Sequence, residues 1–172
     1  MGKYRMTLRT IFTILFFLTL AHAFGQVSDS DMQQKVLRQN KVGKTSRFIH
    51  QDDSTATYLK YLGQIKSNKG DSYKIVTSTW IWGHSHRATN RILIFDSNNK
   101  YLGNYAVTMT YDLPDKIEGN KLVFLNTDNS DCDVKLVTEL SFSDGIPKEF
   151  FLKCKGDMGD VYSFSTDGST SP

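Results

Sequence analysis

Gly83-His84-Ser85-His86-Arg87 is the densest run of chemistry-bearing side chains in the sequence, with Trp80 and Trp82 just before it and Arg91 just after it. On an extended backbone alternate side chains project to one side, so His84 and His86 together offer two imidazoles to zinc or copper. Two ligands do not make a site, and a third would have to come from His50 or an aspartate. The same run falls short of the Gly-x-Ser-x-Gly nucleophile elbow. Its fifth residue is Arg87 and no histidine follows residue 86, so the chain order of that hydrolase fold cannot be met. Gly43-Lys44-Thr45 likewise fails as a phosphate-binding loop, because the earlier glycine position is Arg38 and no apolar strand precedes it. No catalytic residue is assigned.

Trp80 and Trp82 alternate with Ile81 and share one side of an extended segment. With Arg87 and Arg91 nearby they form either a binding patch or the second packed face of a central strand. The expected function is therefore a small exported β-sheet binding or interaction module without catalytic activity. Its site residues would be Trp80, Trp82, His84, His86, Arg87 and Arg91, and its ligand a protein, a glycan or a small molecule. The alternative is a metal-binding protein or metal-assisted hydrolase built on His84 and His86. No cofactor is called for, apart from zinc or copper in that alternative.

Cys132 and Cys154 are the two cysteines, and in an exported chain a lone pair predicts a disulfide, two buried free thiols being the alternative. Counting parity, Cys132 is in phase with Val134, Leu136 and Leu140, and Cys154 with Phe150 and Leu152. A terminal hairpin would then place both on its apolar side. No Cys-x-x-Cys spacing points to redox chemistry.

Export is expected from the first 25 residues. Lys3, Arg5 and Arg9 precede the apolar run from Ile11 to Leu20, and Ala21-His22-Ala23 supplies a small-residue cleavage pattern. The run is short for a spanning helix, so residues 1–25 are read as a cleaved signal peptide, with a secreted or periplasmic product and no stable membrane anchor. The formal charge of +3 is 21 basic minus 18 acidic residues. Since residues 1–25 hold three basic and no acidic groups, the mature chain balances at 18 against 18. Nucleic-acid binding is not expected from a neutral chain. The balance is uneven along its length, with 12 basic and 6 acidic residues over 26–110 and 6 basic and 12 acidic over 111–172.

The elements that must position these residues are β-strands. Residues 26–56 are polar and read as a solvated arm, with a capping-box pattern at Ser30-x-x-Gln33 that predicts a short helix near 31–40. From residue 57 to 165 short runs rich in β-branched and aromatic residues alternate with Asn, Gly and Asp turn clusters. Strands are predicted over 58–66, 72–82, 92–95, 101–109, 116–124 as a tight hairpin, 134–142, 150–154 and 161–164, with residues 83–91 as a loop and 166–172 as a frayed tail. The predicted fold is all-β, a single antiparallel meander of eight or nine strands closed into a barrel or folded into a sandwich.

Overall fold

A computed structural model describes residues 28–50, 55–126 and 131–166. The predicted signal peptide over 1–25 lies outside the described residues, as does the tail beyond residue 166.

The described chain is mostly β, as expected, with one helix. Helix α1 (Asp29–Gln39) is followed by β1 (Thr45–Ile49), β2 (Ala56–Lys66), β3 (Ser72–Trp82), β4 (Arg87–Phe95) and β5 (Tyr101–Val107). A 3₁₀ turn (Thr110–Asp112) leads to β6 (Lys116–Glu118), β7 (Lys121–Leu125), β8 (Val137–Ser141), β9 (Glu149–Lys155) and β10 (Met158–Ser165). The first five strands form an antiparallel meander, and β10 and β9 extend it in the order β1-β2-β3-β4-β5-β10-β9. Strands β6, β7 and β8 make a separate three-stranded sheet. One meander was expected; the observed chain leaves the first sheet after β5, builds the second, and returns with its last hairpin.

The two sheets share a core. Ile75, Ile92, Ile94 and Tyr105 of the large sheet meet Leu122, Phe124, Leu140 and Phe142 of the small one, with Phe150, Leu152 and Tyr162 from β9 and β10. Aromatic rings fill this interior, Phe150 lying 5.1 Å from Phe124 and 5.3 Å from Tyr105 between centroids. Among the described residues the two sheets face each other across this core and do not close into one barrel. The edges of the two sheets also approach one another. Lys153 N–H donates to Thr138 Oγ1 at 3.1 Å between β9 and β8, while Gly63 on β2 lies close to the Ile117 side chain on β6.

The opposite face of the large sheet carries a second core, in which Met32, Val36 and Leu37 of α1 pack on Leu59, Tyr61, Val76, Leu93 and Phe95. Strands β3 and β4 are thus buried on both faces in their lower halves, which is why Ile92-Leu-Ile-Phe95 is an unbroken apolar run. Residues 29–39 are not a free arm: an i, i+4, i+5 apolar set gives a narrow stripe that the sheet covers. The cap is Ser28, two residues before the expected one. Its Oγ accepts from Asp31 N–H at 3.2 Å, and the Asp31 carboxylate accepts in return from Ser28 N–H, a stronger reciprocal partner than a glutamine amide. Residues 45–49 also depart from the arm reading, since they pair with β2 from Thr45↔Lys60 to Ile49↔Ala56.

Two strand boundaries correct the sequence reading. Strand β4 starts at Arg87, so residues 87–91 are strand and not loop, paired with β3 from Trp82↔Arg87 onward. Polar alternation at Arg87, Thr89 and Arg91 conceals a strand whose outer half has one wet side. Strand β8 starts at Val137, and it pairs with β7 while β9 pairs with β10. The expected hairpin of β8 with β9 therefore does not form, and Cys132 and Val134 lie in turns before β8, Val134 being 66% exposed. The disulfide Cys132–Cys154 is present nonetheless, with Cα atoms 4.5 Å apart. It fastens the segment before β8 to the outer strand β9, where Asp133 N–H donates to the Cys154 carbonyl at 2.7 Å and Asn126 Nδ2 donates to the Lys153 carbonyl at 3.2 Å. The bare edge of β9 is thereby partly satisfied.

At the upper rim of the shared core a polar network replaces apolar packing. Asn90, 1% exposed, accepts from Thr79 and Thr110 hydroxyls at 3.0 and 3.2 Å, and Tyr162 donates to the buried Asp112 carboxylate at 2.8 Å. Burial pushes the Tyr162 hydroxyl up to about 12, with its bond to Asp112 acting in the same direction.

Two outcomes follow from these contacts. The Cys132→Ser/Cys154→Ser variant, which opens a loop of sequence separation 22, is expected to lose about 3 kcal/mol in urea unfolding. Tyr162→Phe leaves Asp112 without that donor and is expected to cost roughly 1–3 kcal/mol at pH 7. Because the folded-state hydroxyl titrates above a free tyrosine, its contribution is complete below pH ~10 and is lost as pH rises toward 12. Unfolding midpoints measured from pH 8 to 12 should accordingly fall less steeply in Tyr162→Phe than in the parent.

Candidate functional site

Helix α1 covers only one end of its sheet face. Eleven helical residues span about 16 Å, whereas the eleven residues of β3 span about 36 Å, so the outer half of β3 and its neighbours extend past the helix. That outer half carries Ser78, Trp80 and Trp82 on β3 opposite Arg91, Thr89 and Arg87 on β4. Strand geometry puts all six on the helix side of the sheet, in line with Val76 and Leu93 beneath α1.

Both tryptophans are half-buried, between the two readings their spacing allowed. Their rings stack with centroids 5.7 Å apart and planes 25° from parallel. Trp82 Nε1–H donates to Thr89 Oγ1 at 3.1 Å, and the Arg87 guanidinium lies 5.8 Å from the Trp82 ring centroid. The order along the strand is therefore Arg87, Trp82, Trp80, and then a small cleft. Trp80 forms one wall of that cleft and the first turn of α1, with Asp29, Met32 and Gln33, the other. Ser78 and Arg91 lie on its floor, with Leu59 and Leu93 below and Thr57 at the side. His50 Nε2 lies 3.0 Å from Thr57 Oγ1.

Electrostatically the cleft is mixed. Among the described residues, Arg87 and Arg91 form no ion pair, the two ion pairs being Lys116–Glu118 and Lys121–Glu139. The Arg91 charge does reach Tyr101, where it opposes the dominant effect of burial, which raises that hydroxyl. Tyr101 accepts from Asn104 Nδ2 at 2.7 Å. A half-buried guanidinium with unused donors faces a helix turn bearing a carboxylate and an amide, and a flat indole stands beside them. Such a set can hold a ligand by stacking and by directional hydrogen bonds.

Of the six residues singled out in the sequence, Trp80, Trp82, Arg87 and Arg91 come together. His84 and His86 do not join the cleft. They sit in the exposed β3–β4 turn, where His86 N–H donates to the Gly83 carbonyl at 3.0 Å and His86 takes φ +50°. The extended geometry that would aim both imidazoles to one side is absent, since a tight reversal is needed to bring Arg87 opposite Trp82. His50 is bonded to Thr57 instead of completing a metal set, and among the described residues no group of three or more His, Cys, Asp or Glu is placed to hold a metal ion. Sequence reasoning missed the contributions of Asp29, Gln33, Thr57 and Ser78. Ser78 was legible, being in phase with Trp80, but the other three arrive by helix docking and strand pairing.

Comparison with family models, with curated proteins and with solved structures returned no match. No helix among the described residues is long and apolar enough to cross a membrane.

If the histidine turn is only a turn, EDTA should leave the melting temperature of untagged protein unchanged. A zinc- or copper-dependent rise that disappears in His84→Ala/His86→Ala would instead assign a metal to that turn.

Proposed function

We propose that the mature chain is an exported, non-catalytic binding module that holds its ligand in the cleft between the first turn of α1 and the Trp80 ring. The observation that carries this reading is the half-buried Trp80–Trp82 stack, left outside the helix and flanked by Arg87 and Arg91 without ion-pair partners among the described residues. Stacked indoles present a large, rigid area at little conformational cost, and the half-buried Arg91 guanidinium adds direction. A residue kept only for packing would be expected under the helix, as Val76 and Leu93 are. Export is supported by the leader pattern of residues 1–25 and by the Cys132–Cys154 disulfide, which suits an oxidising compartment such as the periplasm or the extracellular space. The formally neutral mature composition argues for a protein, glycan or small-molecule ligand ahead of nucleic acid.

The reading is tested by a fragment screen monitored through the two indole N–H resonances and the backbone amides of the mature protein. Binders should move both indole signals together with amides of residues 28–33 and 89–91, and the effect should vanish in Trp80→Ala. Hits that cluster elsewhere and persist in Trp80→Ala would sink it.

A further inference from the structure

The large sheet has two outer strands, and their edges differ. At β9, Thr138 Oγ1 accepts from Lys153 N–H at 3.1 Å and Asn126 Nδ2 donates to the Lys153 carbonyl at 3.2 Å, so side chains dress part of that edge. At β1 nothing does so among the described residues. His50 N–H donates to the Thr55 carbonyl at 2.9 Å, and positions 50 and 55 continue the β1–β2 register that runs from Thr45↔Lys60 to Ile49↔Ala56. Hydrogen-bonded and non-hydrogen-bonded pairs alternate along an antiparallel ladder. Ser46 and Phe48 therefore turn their backbone groups inward to β2, whereas Thr45, Arg47 and Ile49 turn N–H and C=O outward. All three residues are exposed, and their outward groups have no partner among the described residues.

The same edge is ringed with positive charge. Lys35, Arg38, Lys41, Lys44 and Arg47 follow one another with no acidic residue between positions 32 and 51. The Lys35 ammonium lies 5.7 Å from the Phe48 ring centroid and the Arg47 guanidinium 5.9 Å from that of Tyr58. Phe48 and Arg47 are neighbours on one strand, so a cation stands on each face of the edge, and Lys60 pairs with Thr45 behind it. The carboxylates of α1, Asp29 and Asp31, belong to its first turn and both have partners, Asp31 in the cap with Ser28. Asp52 and Asp53 lie outside the described residues. We propose that β1 docks an extended, acidic segment of a partner protein, which adds to the large sheet as a further strand. Outward N–H and C=O groups at alternate positions match a peptide backbone, and neither a glycan nor a lipid headgroup supplies that repeat. Charge then selects the peptide. A second copy, pairing β1 with β1, would crowd the same five cations from both chains, whereas an acidic segment sets carboxylates against them. The edge is two strands away from Trp80 and is a surface separate from the cleft.

Hydrogen exchange of the mature protein checks the register first: the amides of Arg47 and Ile49 should exchange faster than those of Ser46, Phe48 and His50. The peptide Thr-Glu-Val-Glu-Val-Glu-Thr, blocked at both ends and the same read in either direction, is then titrated while backbone amide shifts are followed. It is expected to bind with a dissociation constant below about 1 mM, to move the amides around Arg47 and to slow exchange at Arg47 and Ile49. A version with lysine for glutamate, and one of the same composition in blocks, Glu-Glu-Glu-Val-Val-Thr-Thr, should each bind at least roughly tenfold more weakly. Arg47→Pro removes one outward N–H and one cation but no bond to β2, and should weaken binding roughly tenfold. Arg47→Glu keeps every backbone group and should weaken it as much, which covers the case of a proline that disturbs the hairpin. Equal binding of the block peptide would reduce the contact to bulk charge and overturn the strand assignment, as would silence from all three peptides. Slow exchange at Arg47 and Ile49 in the free protein would overturn it too, showing the edge covered by the chain itself, or by a second copy if the protection grows with protein concentration.

Discussion

The packing of a short helix on a long sheet governs this molecule. Met32, Val36 and Leu37 bury the lower half of one sheet face and leave the upper half to solvent. Without that contact the Tyr61, Val76, Leu93 and Phe95 side chains would form an exposed apolar patch, at about 25 cal/mol for each Å² of apolar surface left in water. With it, the helix N-terminus comes to rest beside Trp80, and a fold requirement becomes one wall of a cleft. The tie is reinforced at the other end, where Gln34 Nε2 donates to the Asn99 carbonyl at 2.7 Å in the β4–β5 turn.

The other face obeys a different constraint. The three-stranded sheet covers the aromatic core, but among the described residues no ladder of backbone bonds joins it to the large sheet. Closure draws on side chains, on isolated backbone bonds such as Asp133 N–H to the Cys154 carbonyl, and on the disulfide, which holds the segment before β8 against β9. At the seam between β5 and β10, Gly103 is required by space: a Cβ there would overlap the Phe164 ring and the Ser165 carbonyl oxygen. The last hairpin can therefore add to the meander out of sequence order, and its Phe150 and Tyr162 reach the core that β5 begins.

Division of labour between the faces explains why the chain could keep a rigid interior and still offer a surface. The interior is occupied by Tyr105, Phe142 and Phe150, and its polar rim at Asn90 and Asp112 is internally bonded. The helix face has both an uncovered end and cations without ion-pair partners among the described residues. Polar and aromatic residues in the outer halves of β3 and β4 are the local departure from the apolar rule that holds in their inner halves.

Much of this was written into local patterns. Alternation over Ser72–Trp82 placed Trp80 and Trp82 on one side, turn residues located most hairpins, and a lone pair of cysteines pointed to their bond. Strand periodicity is a property of neighbouring residues, so it can be read without knowing what covers each side. The partners of each strand cannot be read that way. The pairing of β8 with β7, the return of β10 to β5, the extension of β4 back to Arg87 and the docking of α1 beside Trp80 all join residues far apart in the chain. Those contacts are chosen by which surfaces bury the most apolar area together. The sequence by itself determined that the tryptophans and arginines would share a strand region; tertiary packing decided that the helix would stop short of them and leave a slot.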